Sequence, residues 1–156
     1  MALSIHERNR SVTHLLNGTH TSLQSIVPIP YKISKPKLLG KALDLQFGVL
    51  IGFTGDLKGK LILSGEHAVF SEIGKSMFGM DIEGEMLTSF SGELGNMLAG
   101  NLSAKIEEHG IRTDITAPTI MEGKTTLSGF DKAIQLTADF ENTGNMDIYL
   151  LIDELG

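Results

Sequence analysis

The order of periodicities along the chain predicts an α+β fold in which an antiparallel β-sheet built from hairpins packs against helices. Three observations lead there. Helical apolar spacing occupies residues 5–27, a period of two takes over at Leu43, and helical spacing returns over residues 66–109 before a β-rich end. Helices grouped apart from hairpins do not make a doubly wound parallel sheet.

Each element has its own signal. Ile5, Val12, Leu15, Leu16, Leu23, Ile26 and Val27 line one side of a first helix, which Pro28 and Pro30 stop. Residues 28–41 contain Pro36 with Lys32, Lys35, Lys37 and Lys41, and read as an exposed loop. Leu43, Leu45, Phe47, Val49, Ile51 and Phe53 alternate with smaller or polar residues, the pattern of a strand with one buried face. Thr54-Gly55-Asp56 turns the chain into a returning strand over residues 57–63. A second helix spans residues 66–78 and ends at Gly79; a long third one spans 84–109 and ends at Gly110. Three strands follow, over 112–121 (interrupted by Pro118), 131–141 and 145–154, the last two joined by Asn142-Thr143-Gly144.

The order is therefore helix, two strands, two helices, three strands. A helix followed later by strand–turn–strand occurs once in each half, which suggests an internal pseudo-repeat. An unpaired strand at the sheet edge is available to a second copy, so a homodimer is expected.

A chain of 156 residues is expected to form one domain over residues 1–156. With 41% hydrophobic and 21% charged residues it reads as a soluble globular protein. A net charge of −6 argues against nucleic acid as a partner, because phosphate binding needs concentrated lysine and arginine. No cysteine is present, which excludes disulfides, thiol catalysis and cysteine-ligated zinc. His6, His14, His20, His67 and His109 are scattered, and the spacing of His14 and His20 is wrong for a helical metal pair, so no metal site is expected. No apolar run approaches the roughly 20 residues that span a bilayer, and no signal-peptide core is recognisable. A cytoplasmic protein without membrane contact is the expectation. Phosphate-binding loops and nucleophile elbows are absent as well.

The chemistry concentrates on the third helix. Leu87, Leu94, Leu98, Leu102 and Ile106 form its apolar face, while Ser89, Glu93, Asn96, Gly100 and Ser103 form a narrow stripe opposite. Glu93 and Asn96 stand three apart and leave the helix as neighbours. Gly92, Gly95 and Gly100 each cost a helix about 0.8–1 kcal/mol relative to alanine, which calls for a reason. For Gly92 and Gly95 tight internal packing is expected; Gly100, on the stripe, is open to an external partner. By spacing alone the stripe would pass for a solvated helix face, except that no lysine interrupts it from Ser89 to Ala104.

Ser89 with Gly92-Glu93-Leu94-Gly95-Asn96-Met97 resembles the Ser-x-x-x-Glu-x-x-Asn signature of the CheC/CheX/FliY phosphatases. The likeness continues through Gly52-Phe53-Thr54-Gly55, through Asp114-Ile115-Thr116-Ala117-Pro118-Thr119 and to Gly123, most closely in the CheX manner. It implies a CheC-like pseudo-repeat sandwich and a phosphatase acting on the aspartyl phosphate of a CheY-like response regulator. Related proteins bear a second motif on the first helix; here His14-Leu15-Leu16-Asn17 occupies a similar place with histidine instead of the acid, so one site per chain is expected.

The resemblance also implies roles. Asn96 orients the attacking water, since an amide both donates and accepts and has no pKa to tune. Glu93 pairs with the regulator's active-site lysine. Mg2+ is expected to be held by the regulator, with no cofactor of the chain's own. Ser89 supports or caps, Gly100 admits the partner, and Met86, Phe90 and Met97 flank the stripe as an apolar contact rim or as ordinary packing. Thr116 and Pro118 are expected to shape a strand edge. The competing function is a non-catalytic module of the same fold that docks a chemotaxis or flagellar-switch partner.

Overall fold

The computed structural model describes residues 5–40, 42–130 and 132–155; Lys41, Asp131 and the side chains of residues 5–9, 154 and 155, Ile5 and His6 among them, fall outside what is described. Helix α1 is Ile5–Ile26, followed by strands β1 Tyr31–Ile33, β2 Lys37–Leu39, β3 Ala42–Gly55 and β4 Leu57–Gly65. Helices α2 His67–Phe78 and α3 Glu85–Glu107 come next, then β5 Thr113–Ile115, β6 Thr119–Ser128, β7 Lys132–Phe140 and β8 Gly144–Leu155. Every pairing is antiparallel. The α+β architecture expected from the sequence is the observed one.

The strand order β1-β7-β8-β4-β3-β5 is symmetric about the β8–β4 pair, with β2 also on the outer side of β7 and β6 on that of β3. The unit α1-β1-β2-β3-β4 is thereby matched by α3-β5-β6-β7-β8, and α2 has no counterpart. Each half lends its first two strands to the hairpin of the other half, so the pseudo-repeat lies in the pairing as well as in the element order.

Two expectations change. Residues 28–41 are not a plain loop: Ile33 pairs with Ala138 and Leu38 with Ile134. Lys32, Lys35 and Lys37 are exposed, as expected, but strands this short carry no readable periodicity of their own. The strand expected to stop at residue 121 resumes after Pro118 and runs to Ser128, giving four strands in that half.

Leu43 and Leu45 also leave the face the alternation assigns them. Leu45 pairs with Thr125 but Phe47 with Glu122, so Gln46 opposes both Gly123 and Lys124 in a bulge. Gly123 takes φ 87°, a left-handed conformation open to glycine. Past the bulge, Leu43 and Leu45 turn to the sheet's other face and bury with Ile62, Phe130, Ala133, Tyr149 and Leu151. Phe47, Val49, Ile51 and Phe53 stay in the main core under the helices.

The helices cover that main core. Leu15 and Leu23 of α1 with Val27 just beyond its end, Val69, Phe70 and Ile73 of α2, and Leu94, Leu98, Leu102 and Ile106 of α3 all belong to it. α1 and α3 cross closely at Gly18, where a Cβ would sit 2.7 Å from Leu102 Cδ1. Gly79 ends α2 with φ 72° and its amide donates to the Lys75 carbonyl oxygen at 2.7 Å, as expected of a glycine cap. No helix of the described residues is long and apolar enough to cross a membrane.

Candidate functional site on α3

The sheet and the neighbouring helices leave one stripe of α3 uncovered. Leu94 is fully buried, and a Cβ on Gly95 would lie 2.7 Å from Val49 Cγ1 and 2.8 Å from Ile51 Cδ1. Gly95 therefore sets how low α3 rides on β3, as expected. Gly92 differs: a Cβ there would meet Ile120 at 3.5 Å and Pro118 at 3.6 Å, which is ordinary contact. Packing does not demand glycine at that position. At Gly100 the nearest atom is Ile115 Cδ1, 3.9 Å away, so nothing inside the molecule demands glycine there either.

One flank of the stripe is the link between β5 and β6. Ser103 Oγ lies 2.7 Å from Thr113 Oγ1 and 3.1 Å from the Thr113 carbonyl oxygen. Ile115 reaches Gly100, and Pro118 with Ile120 reaches Gly92. The link thus runs antiparallel to α3 and passes the level of Asn96, which is half-buried. Thr116 holds the link to the sheet: its amide donates to the Gly52 carbonyl oxygen at 2.9 Å, and its Oγ1 accepts from the Gly52 amide at 2.8 Å. The strand-edge role expected of Thr116 and Pro118 is what their contacts show.

Glu93 is exposed and Asn96 half-buried, one helical turn apart. Neither side chain has a hydrogen-bond or ion-pair partner among the described residues. The amide of Asn96 keeps its donor and acceptor capacity free, and the Glu93 carboxylate is free to meet a cation. Ser89 is exposed and equally unbonded, unlike buried Ser91, whose Oγ donates to the Leu87 carbonyl oxygen at 2.7 Å.

The expected apolar rim divides. Met86 is 49% exposed and Met97 is half-buried. Phe90 is only 7% exposed, because it fills the space beside Gly74 of α2. It belongs to the packing and is not a contact surface. Sequence reasoning also passed over Phe78, which stands edge-on to Phe90 at 5.8 Å and is 59% exposed, and over Met80 at 51%. The readable signal was Met77-Phe78-Gly79-Met80, large apolar residues gathered where a helix stops.

On α1, Asn17 is exposed and makes no side-chain hydrogen bond among the described residues. The His14 ring is stacked on His109 at 3.7 Å with 10° between planes. Burial, then the neighbouring charges of His109 and Arg10, push its pKa below the ordinary imidazole value. This position holds a packed ring where α3 presents a free carboxylate. No cluster of three or more metal-ligating side chains exists among the described residues.

The family model described as chemotaxis phosphatase CheX matches residues 47–140, a span that holds the whole α3 stripe and the β5–β6 link. The Thermotoga maritima protein named CheY-P phosphatase CheX is 28% identical over 152 residues, covering 94% of this chain and 98% of its own. The chemotaxis protein CheX of Desulfovibrio desulfuricans superposes with a TM-score of 0.77 at 18% identity, over 92% of this chain and 99% of that one. A CheX–CheY–BeF3–Mg2+ complex from Borrelia burgdorferi gives 0.75 at 18% identity, over 92% and 97%. The structural likenesses, at these identities, establish the fold.

Proposed function

The chain belongs to the chemotaxis phosphatase family CheX, and from that membership we propose that it dephosphorylates the aspartyl phosphate of a CheY-like response regulator. The observation that carries the reading is the pair Glu93 and Asn96, adjacent on α3 and both without an internal partner. An aspartyl phosphate is a mixed anhydride, already reactive toward water. Water attacks phosphorus, the bond to the aspartyl oxygen breaks, and inorganic phosphate leaves with a free carboxylate behind. The transition state is largely dissociative, so what remains to be supplied is position. Asn96 holds the water in line, donating and accepting at once. Glu93 pairs with the regulator's active-site lysine and fixes the depth of insertion.

The regulator supplies Mg2+ in this reading. In the Borrelia complex, which shares the fold, CheY, BeF3 and Mg2+ are present together. Residues 1–156 act as one cytoplasmic unit. It forms a homodimer through a sheet edge; among the described residues β6, paired only with β3, is the longest one free. Ser89 supports the insertion, and Gly100 lets the partner's backbone approach.

The competing reading is a docking module without catalysis. The free amide of Asn96 favours the enzyme, since docking alone gives it no task. The test is phosphate release from an acetyl-phosphate-loaded CheY homologue. The wild type is expected to accelerate it, and Asn96→Ala to lose the acceleration while still binding. An unchanged rate in Asn96→Ala would remove the assigned role.

A further inference from the structure

Four large apolar side chains are about half exposed or more among the described residues: Leu38 at 79%, Phe78 at 59%, Met80 at 51% and Met86 at 49%. Leu38 stands alone on β2, and the other three share the corner between α2 and α3. Phe78 closes α2, Met80 follows its glycine cap, and Met86 opens α3. Single exposed apolar residues are unremarkable, but three at one corner mark a surface that is covered in use.

The corner is continuous with the Glu93–Asn96 stripe. Met86 precedes Glu93 by two helical turns, so the two share one side of α3, about 10 Å apart along its axis. Phe78 rests edge-on against Phe90, between those levels. The charge around the corner is mostly acidic. Asp81, Glu83 and Glu85 are exposed beside it, and no lysine, arginine or histidine occurs from Ser76 to Ala104. Lys75 pairs with Asp81 at 3.6 Å.

We propose that Phe78, Met80 and Met86, ringed by Asp81, Glu83 and Glu85, form the docking surface that seats a phosphorylated receiver domain beside the Glu93–Asn96 stripe. The matching seat on the receiver would be an apolar patch with a lysine- and arginine-rich rim, next to its active site. This inference rests on the phosphatase reading for the identity of the partner. The acidic ring repels the phosphoryl group and attracts basic residues around it. It thereby sets orientation, while the apolar centre, rich in the methionine and aromatic side chains that interfaces favour, supplies the adhesion. Phe90 and Ile82, packed on Gly74, hold the corner from beneath.

The test uses the full chain with an acetyl-phosphate-loaded CheY homologue, measuring binding, KM and turnover for phosphate release, and the solution mass. Met80→Ser with Met86→Ser is expected to weaken binding and raise KM about tenfold, the size of a modest interface hot spot, with turnover at saturation retained. Glu83→Lys with Glu85→Lys is expected to do the same and to abolish the salt dependence of binding. Both pairs of positions are exposed, so neither variant removes core. Unchanged binding and KM in both variants would overturn the surface while leaving the phosphatase reading intact. A wild type that binds without releasing phosphate, with binding weakened in the variants, would keep the surface and overturn the phosphatase reading. A variant that loses solution mass while its regulator binding holds would assign the corner to a second copy of this chain and overturn the proposal.

Discussion

Ser22 of α1 and Asn101 of α3 meet where the two helices cross, with Ser22 Oγ 2.9 Å from the Asn101 side-chain amide and 2.7 Å from the Gly18 carbonyl oxygen. One hydroxyl proton cannot serve both contacts. Both are satisfied if Ser22 donates to Gly18 and the amide nitrogen of Asn101 is turned toward Ser22 to donate in its turn. The two residues are 79 positions apart. The same offset takes His14 to Glu93 and Asn17 to Asn96. Pseudo-equivalent positions touch each other here, which places the crossing on the axis relating the halves.

Ser22→Ala leaves the buried end of that amide without a partner. The expected loss is about 1–2 kcal/mol of stability, read as a lower urea midpoint. Phosphate release is expected to hold, because the crossing lies beneath the stripe; a fall in rate at unchanged stability would show that it positions α3.

The Thr116–Gly52 clamp governs the link beside Asn96. Thr116→Val keeps the volume and removes the acceptor for the Gly52 amide. About 0.5–1.5 kcal/mol of stability should be lost. Turnover should drop as well, since the link flanks Asn96; a full rate would mean that the link does not shape the site.

Gly95 and Gly100 are expected to respond oppositely. A valine at 95 drives its Cβ into Val49 and Ile51, with a cost of about 1–3 kcal/mol and a lifted helix. An alanine at 100 finds room and should stabilise the helix by up to about 1 kcal/mol. If a partner's backbone approaches there, Gly100→Ala lowers the rate of phosphate release while raising the melting temperature. A rise in both would remove Gly100 from the contact.

His14 gives the fold a sensitivity to acid. Its folded pKa lies below the ordinary value of 6.5, chiefly through burial, and Nε2 is sealed without a partner. Above that ordinary value both folded and unfolded chains are neutral, and the residue contributes nothing. As pH falls through it, the unfolded chain takes up a proton that the folded chain resists, so stability decreases. His14→Phe keeps a ring against His109 and removes the titration. Its unfolding midpoint should fall less than that of the wild type between about pH 7.5 and about pH 5; equal falls would place the acid sensitivity elsewhere.

The residues legible beforehand were those whose neighbours lie along the chain. Periodicity located α1, α2 and α3, the β3–β4 and β7–β8 hairpins and the polar stripe, because helix faces and strand alternation are written within a few residues. Glu93 and Asn96 were readable as a pair for the same reason. What needed the fold was every feature made by segments far apart. The strands at 31–33 and 37–39 exist because β7 offers them an edge, and Leu43 and Leu45 bury on the other face beyond the irregularity in the β3–β6 pairing. Phe90 withdrew from the surface because α2 leaves a space over Gly74, and Phe78 stands edge-on against it on the outside. Local spacing determines which side of an element is apolar. Whether that side meets a helix, a sheet or a partner is decided by what the rest of the chain brings against it.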